Sequence, residues 1–152
     1  HSENHKQMSQ LSSDDCIAEI QKPHDKVKEL TGTEMTLFRP PYGDYNNTLI
    51  ESANSLGYHV IQWSVDSLDW KDYGAENQVK QMLQTHTLRD GEILRFHAEG
   101  ENTGEMVSLL HPQLKEEGYE AVTVSQMIVK ENYFMETDGR QIPESQNKAI
   151  FS

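Results

Sequence analysis

The chain has 152 residues, with 25 acidic against 13 basic side chains and a formal net charge of −12. So acidic a surface repels nucleic acid and anionic membranes, and no apolar run approaches the roughly 20 residues that a membrane-spanning helix needs. A neutral polymer remains an acceptable partner, and a chain of this length suits one domain with one core.

Because the first residue is His1 rather than Met, the chain is expected to be a mature, cleaved or engineered fragment of something longer. The single cysteine, Cys16, excludes an internal disulfide framework and sits among apolar helical positions, where a small buried filler is expected.

After a His-rich opening, Ser12 and Ser13 are placed to cap a helix. Its apolar positions Ile17, Ile20, Val27 and Leu30 recur at helical spacing before Gly32, with a kink expected at Pro23. A short strand over residues 36–38 runs into Arg39-Pro40-Pro41-Tyr42-Gly43, which two prolines and a glycine make a rigid, non-helical loop. The next helix starts near Asn46 or Asn47, buries Leu49, Ile50, Ala53 and Leu56, and stops at Gly57. Residues 58–65 are predicted as a strand, residues 66–74 as a polar loop, and Val79, Met82 and Leu83 as the inner face of a helix.

The Asp90-Gly91 turn delivers a strand over residues 92–97. A helix over residues 104–117 follows, with Met106, Val107, Leu110 and Leu114 inward and Gly118 at its end. Residues 119–124 are predicted as another strand, and a short helix from Ser125 finishes the core. From about Lys130 the sequence loses periodicity and gathers polar residues. Residues 1–129 are therefore read as the domain and 130–152 as a polar tail or linker.

Strands alternating with helices imply parallel pairing through right-handed crossovers, hence an α/β sheet or barrel. A closed (β/α) barrel usually takes roughly 200 residues or more. The chain is thus expected to be a barrel without its first strands, with an open α/β sheet as the alternative.

Four polar clusters stand out: His1-Ser2-Glu3-Asn4-His5, the Arg39 loop, Asp66-Ser67-Leu68-Asp69-Trp70, and His97. The last three lie just beyond predicted strand ends, where the loops of parallel α/β folds converge to form active sites. On one helical turn His1 and His5 would share a face and could share a divalent ion; two exposed terminal histidines are the plain alternative. Arg39 is a permanent cation suited to orienting a carboxylate. A carboxylate beside His97 would favour the protonated imidazole that acid catalysis needs, although Asp66 could equally cap a turn and His97 could be a satisfied core histidine. His24, His59, His86 and His111 have no comparable setting and are taken as surface or packing residues, as are Tyr45, Tyr58 and Trp63 as structural aromatics.

Taken in order, these clusters resemble carbohydrate esterase family four, the polysaccharide deacetylases, from His1 to about Val129. His1-Ser2-x-x-His5 is similar to the family's metal-binding pair and Arg39-Pro40-Pro41-Tyr42-Gly43 to its arginine loop. Residues 63–70 resemble its fourth motif and Leu94-Arg95-Phe96-His97-Ala98 its fifth. The resemblance implies a distorted (β/α) barrel of the polysaccharide deacetylase type, its N-terminal strands absent from this chain and supplied, if at all, by a missing N-terminal fragment. It implies a secreted or extracytoplasmic, cell-wall-associated hydrolase that removes N-acetyl groups from a chitin-like or cell-wall polysaccharide, peptidoglycan favoured.

In that scheme His1 and His5 hold one divalent ion, Zn²⁺ with Co, Ni or Mn as alternatives. His97 is the general acid, tuned by Asp69; Asp66 and Arg39 belong to the same catalytic set, and the Tyr42 N–H donates to the oxyanion. Pro41, Trp70, Leu94 and Arg95 line the substrate pocket. The family's first motif, a strand ending in two aspartates that supply the general base and a third metal ligand, has no counterpart ahead of His1. Glu3 and Asp44 lie near the relevant motifs in sequence without matching it. In the fifth motif the family has an apolar residue where Arg95 stands and often aspartate where Ala98 stands. These departures keep open a non-catalytic, glycan-binding relative of the same fold.

Overall fold

In the computed structural model, which describes residues 1–71 and 73–147, Ser12 caps the first helix as expected. Its hydroxyl accepts the Asp15 N–H at 3.2 Å. Helix α1 (Ser13–Thr31) carries Asp14 and Asp15 in its first turn, against the positive end of its dipole. It runs as one continuous helix through Pro23 and closes at Gly32, whose φ of 72° only glycine adopts cheaply.

The apolar residues divide into two clusters rather than the single core expected, and the chain divides with them into two units. One comprises His1–Gln62 with the chain from Val129 onward, the other Trp63–Ile128.

In the first unit, β1 (Leu37–Phe38) pairs in parallel with β2 (His59–Val60), Leu37 opposite His59 and Phe38 opposite Val60. Between them lies α2 (Asn47–Ser55), capped by Asn46, whose side chain accepts the Leu49 N–H at 2.9 Å. Met8, Cys16, Ile20, Phe38, Leu49, Ala53, Tyr58 and Val60 form the core. Removing a buried side chain such as Leu49 costs about 2–5 kcal/mol. Cys16 is the buried filler expected; burial, then Asp15 and Glu19, push its thiol up and keep it inert.

Where a polar tail is expected from Lys130, the chain instead forms an antiparallel pair, β5 (Tyr133–Met135) with β6 (Gln141–Pro143), followed by α6 (Glu144–Asn147). Polar residues 136–140 form the turn between the strands, while Met135 packs on the core. The end of that stretch, residues 148–152, lies outside the described residues.

The single strand expected over residues 58–65 is two. After β2 the backbone leaves its first ladder, and β3 (Val65–Asp66) pairs in parallel with β4 (Leu94–Arg95) in the second unit. There α3 (Ala75–Thr85) packs against α4 (Thr103–Glu116) over Val65, Ala75, Val79, Met82, Met106 and Leu110. The strand expected over residues 119–124 does not form, because an extended segment becomes a strand only beside a partner, and none of the described residues offers it a ladder. Tyr119 is instead anchored by its hydroxyl to the Leu88 carbonyl at 2.7 Å. A reciprocal Thr123–Gln126 capping box then starts α5 (Val124–Met127).

Candidate active site

Two groups of the predicted residues assemble, one in each unit. In the first, the His1 and His5 rings stand edge to face with centroids 5.0 Å apart, and the His5 ring meets Tyr42 at 4.7 Å. His1 and His5 do not share a helical turn; the segment is irregular, with His5 at a φ of 51°.

The His1 Nδ1 lies 2.6 Å from the Arg39 carbonyl. A carbonyl only accepts, so Nδ1 carries the hydrogen and Nε2 keeps its lone pair for a ligand. Two imidazoles bound tetrahedrally to one Zn²⁺ place their ring centroids roughly 5 Å apart, so the observed pair suits such an ion. Among the described residues no third His, Cys, Asp or Glu joins them.

The loop carrying these histidines is anchored by a residue the sequence reading passed over. Glu19 is buried on α1 and accepts the Asn4 N–H at 2.9 Å, the Asn4 amide at 2.8 Å and the Lys6 ammonium at 3.0 Å. Burial works to raise its pKa, but these partners outweigh burial and hold it at about 2. A signal existed: Cys16, Glu19 and Ile20 fall at i, i+3 and i+4, on one buried face.

Arg39 is half-buried, Pro41 is fully buried beneath the loop, and Tyr42 is exposed with a φ of 60°. Pro41 therefore stiffens the loop from below rather than presenting a surface. The turn is closed by the Gly43 and Asp44 N–H groups, which donate to the Pro40 and Pro41 carbonyls at 3.1 and 3.0 Å. Asp44 itself accepts the Ser9 N–H at 2.8 Å, and Glu3 is exposed.

The second group centres on Asp69, whose side chain is wholly buried beside a partly exposed His97. One carboxylate oxygen accepts the His97 ring Nδ1–H at 2.6 Å; the other accepts the His97 backbone N–H at 2.6 Å and the Thr103 hydroxyl at 2.5 Å. Burial works to raise the Asp69 pKa, but the His97 N–H, the Thr103 hydroxyl and the His97 ring outweigh it and hold it at about 2. An ionised carboxylate only accepts, so His97 is protonated at Nδ1 and presents Nε2 outward.

Gly100 makes room for this arrangement. A Cβ there would lie 2.3 Å from the Thr103 hydroxyl and 2.9 Å from the Asp69 carboxylate. Gln78, also buried, ties the neighbouring loops together by donating to the Leu68 and Lys71 carbonyls at 2.9 and 2.6 Å while accepting from Asn102 at 3.2 Å. Gly100, Thr103 and Gln78 were missed because nothing in their spacing marks a partner; each is identified only by what it touches.

The two aspartates of the fourth motif have different partners. Asp66 accepts the Leu68 N–H at 3.1 Å and pairs with Arg95 at 2.8 Å, so its carboxylate shapes a turn that holds Leu68 at a φ of 52°. Arg95, where an apolar residue is expected, lies under the Asp66 carboxylate with its guanidinium 4.1 Å from the Trp63 ring. Leu94 packs on the second core, and Trp70 is more than half exposed, with the Lys71 ammonium 5.1 Å from its ring. Elsewhere His24 meets the Tyr58 hydroxyl at 2.7 Å and His59 the Tyr133 hydroxyl at 3.2 Å, in keeping with packing roles.

Residues 1–61 match the model of the family described as polysaccharide deacetylase. The chain is 33% identical over 147 residues to the peptidoglycan-N-acetylglucosamine deacetylase PgdA of Listeria monocytogenes, a match that takes in 93% of this chain and 30% of that protein. It therefore spans less than a third of that curated relative. Among solved structures, a family-four pseudoenzyme from Bacillus anthracis superposes with a TM-score of 0.78 at 25% identity, over 86% of this chain and 45% of that one. The family 4 carbohydrate esterase of Streptomyces lividans, solved with acetate, gives 0.72 at 28% identity, over 82% of this chain and 63% of its own. The α/β fold is thus the one the motifs imply, and the chain belongs to the polysaccharide deacetylases of carbohydrate esterase family four.

Proposed function

We propose that the protein hydrolyses the N-acetyl groups of amino sugars in peptidoglycan, acting outside the cytoplasm where that polymer lies. The observation that carries this reading is the grip of Asp69 on His97. A buried, ionised carboxylate fixes the imidazole by ring and backbone together and leaves Nε2 as the one ring position able to exchange a proton with substrate. That is what protonating a departing amine requires. The activity of the Listeria relative is its other support.

His1 and His5 would hold the divalent ion, Zn²⁺ being one that imidazole ligands suit. When bound, such an ion supplies Lewis-acid polarisation of the acetamide carbonyl. Of the chain's own groups, the Tyr42 N–H donates to the oxygen that gains charge at the tetrahedral stage, on a loop made rigid beforehand by Pro40 and Pro41. Arg39 presents a fixed cation to orient a carboxylate, and Trp70 offers an exposed apolar face to the acetyl methyl. In its doubly protonated form, with Nδ1–H held by Asp69, His97 then donates the Nε2 proton to the leaving nitrogen as the C–N bond breaks. Asp66, bound to Arg95, maintains the loop that carries Asp69.

The test is acetate release from N-acetylated peptidoglycan and from chitooligosaccharides by the full-length protein, with added Zn²⁺ and after chelation. Release that depends on the metal and is greater on peptidoglycan supports the proposal; no release under any condition removes it. A second reading, a glycan-binding relative without catalysis, is favoured by Arg95 and Ala98 in the fifth motif. Binding of the polymer with no acetate release selects it.

A further inference from the structure

The Gly139 backbone lies directly on the side chain of Gln62: a Cβ added at Gly139 would stand 2.7 Å from the Gln62 Cβ and 2.8 Å from its Cγ. Gln62 in turn donates its amide to the Gly43 carbonyl at 3.0 Å, at the end of the arginine loop. Two residues beyond that loop, the Tyr45 hydroxyl lies 3.0 Å from the Thr137 carbonyl and 3.3 Å from that of Glu136. One turn of chain, residues 136–140, therefore meets the loop by two separate routes.

That turn is itself cross-linked. The Glu136 N–H donates to the Arg140 carbonyl and the Gly139 N–H to the Glu136 carbonyl, both at 2.9 Å. The Arg140 guanidinium binds Asp138 at 2.7 Å and Glu136 at 3.0 Å. Gly139 sits at a φ of 87°, so glycine is required both for the turn and for the close approach to Gln62.

At the other end of the route, Tyr42 holds a φ of 60°, a conformation that a tyrosine keeps only when its surroundings over-determine it. The Gly43 carbonyl fixed by Gln62 belongs to the residue next to Tyr42, and this whole assembly lies within the first unit. We infer that the tip of the β5–β6 hairpin is a positioning element for the catalytic loop: it presses Gln62 into place, and the Gln62 amide holds the Gly43 peptide so that the Tyr42 N–H keeps its direction. The inference rests on the deacetylase reading for its catalytic consequence, but the ordering of the loop stands apart from it.

Gln62→Glu in the full-length protein keeps the stem and its volume while replacing the donating NH₂ with an acceptor oxygen. The expected result is a roughly tenfold fall in kcat for acetate release, the scale of one lost hydrogen bond. KM and the melting temperature should stay near those of the parent, while hydrogen exchange at the Gly43 and Asp44 amides becomes roughly tenfold faster. Gly139→Ala should act in the same direction by displacing Gln62, and Gln62→Glu keeps the test decisive where the alanine disturbs the turn. Unchanged kcat in Gln62→Glu, or unchanged exchange at both amides, overturns the inference. If the parent releases no acetate the functional proposal fails by itself, and exchange at those two amides alone decides whether the hairpin tip orders the loop.

Discussion

Asp69 holds His97 twice, taking the ring Nδ1–H on one oxygen and the backbone N–H on the other, each at 2.6 Å. Gripping the backbone as well as the ring links the orientation of the imidazole to the end of β4, from which the chain runs two residues to His97. With Thr103 also donating to it, the carboxylate has three donors and stays ionised, fixing which ring nitrogen is left for chemistry.

Replacing Asp69 by asparagine removes that charge at nearly constant volume. Its amide NH₂ cannot accept, so one of the two contacts with His97 becomes donor against donor. We expect kcat to fall about 10²–10³-fold, the lower part of a general acid's whole contribution, with a much smaller change in KM. Nitrogen-15 NMR of the His97 ring should show Nδ1–H in the parent and a mixed tautomer in Asp69→Asn. A parent spectrum without a hydrogen on Nδ1 would contradict the Asp69 contact on which the assignment of His97 rests.

The motif residues were legible in the sequence because their chemistry is written in residue type: two histidines, a proline-stiffened arginine loop, an acidic loop and a histidine after a strand. The helices were legible for a related reason, since Ser12, Asn46 and Gly32 announce their ends. Partners were not. Asp66 and Asp69 are three residues apart and equally acidic, yet Asp66 binds Arg95 and a turn N–H while Asp69 takes His97. Only the path of the chain between β3 and β4 decides that. The hairpin was hidden differently: Tyr133, Phe134 and Met135 are too short a run to give a period, and the polar turn beyond them resembles a tail.

The space around Asp69 gives a second prediction. Gly100→Ala forces a methyl group to within 2.3 Å of the Thr103 hydroxyl, which must then release the carboxylate. A destabilisation of about 1–3 kcal/mol is expected from the overpacking, together with lost activity. Thr103→Val, which removes the donor and keeps the shape, should cost about 1–3 kcal/mol as the buried carboxylate loses a partner. Urea unfolding of both variants checks this; a Thr103→Val protein as stable as the parent would show the hydroxyl to be dispensable.

Two buried carboxylates, Asp69 and Glu19, are held at about 2, well below their ordinary values near 4. Their folded pKa values are depressed, so each contributes stability that is present above pH 4 and is lost as pH falls through the folded value. The contribution is on the order of 2–3 kcal/mol each. Stability measured by urea unfolding should therefore drop between about pH 4 and pH 2. Asp69→Asn and Glu19→Gln should each be less stable at pH 7 and show a shallower drop. A parent whose stability does not change over that window would contradict the hydrogen-bonding pattern at both carboxylates.

Metal binding separates the roles of the histidines without recourse to activity. His1 is oriented by the Arg39 carbonyl with Nε2 free, and the His5 ring is 5.0 Å away. His97 has its Nδ1 committed to Asp69, in a setting that suits proton transfer. Equilibrium dialysis of the full-length protein against Zn²⁺ should show affinity falling at least about tenfold in His1→Ala and in His5→Ala, since each removes a direct ligand where even an outer partner is worth 10–100-fold. His97→Ala should bind Zn²⁺ like the parent while losing acetate release. Because an imidazole must be neutral to bind, uptake should weaken in acid. Zinc lost from His97→Ala but kept in His5→Ala would reverse these assignments and make His97 a ligand rather than the acid.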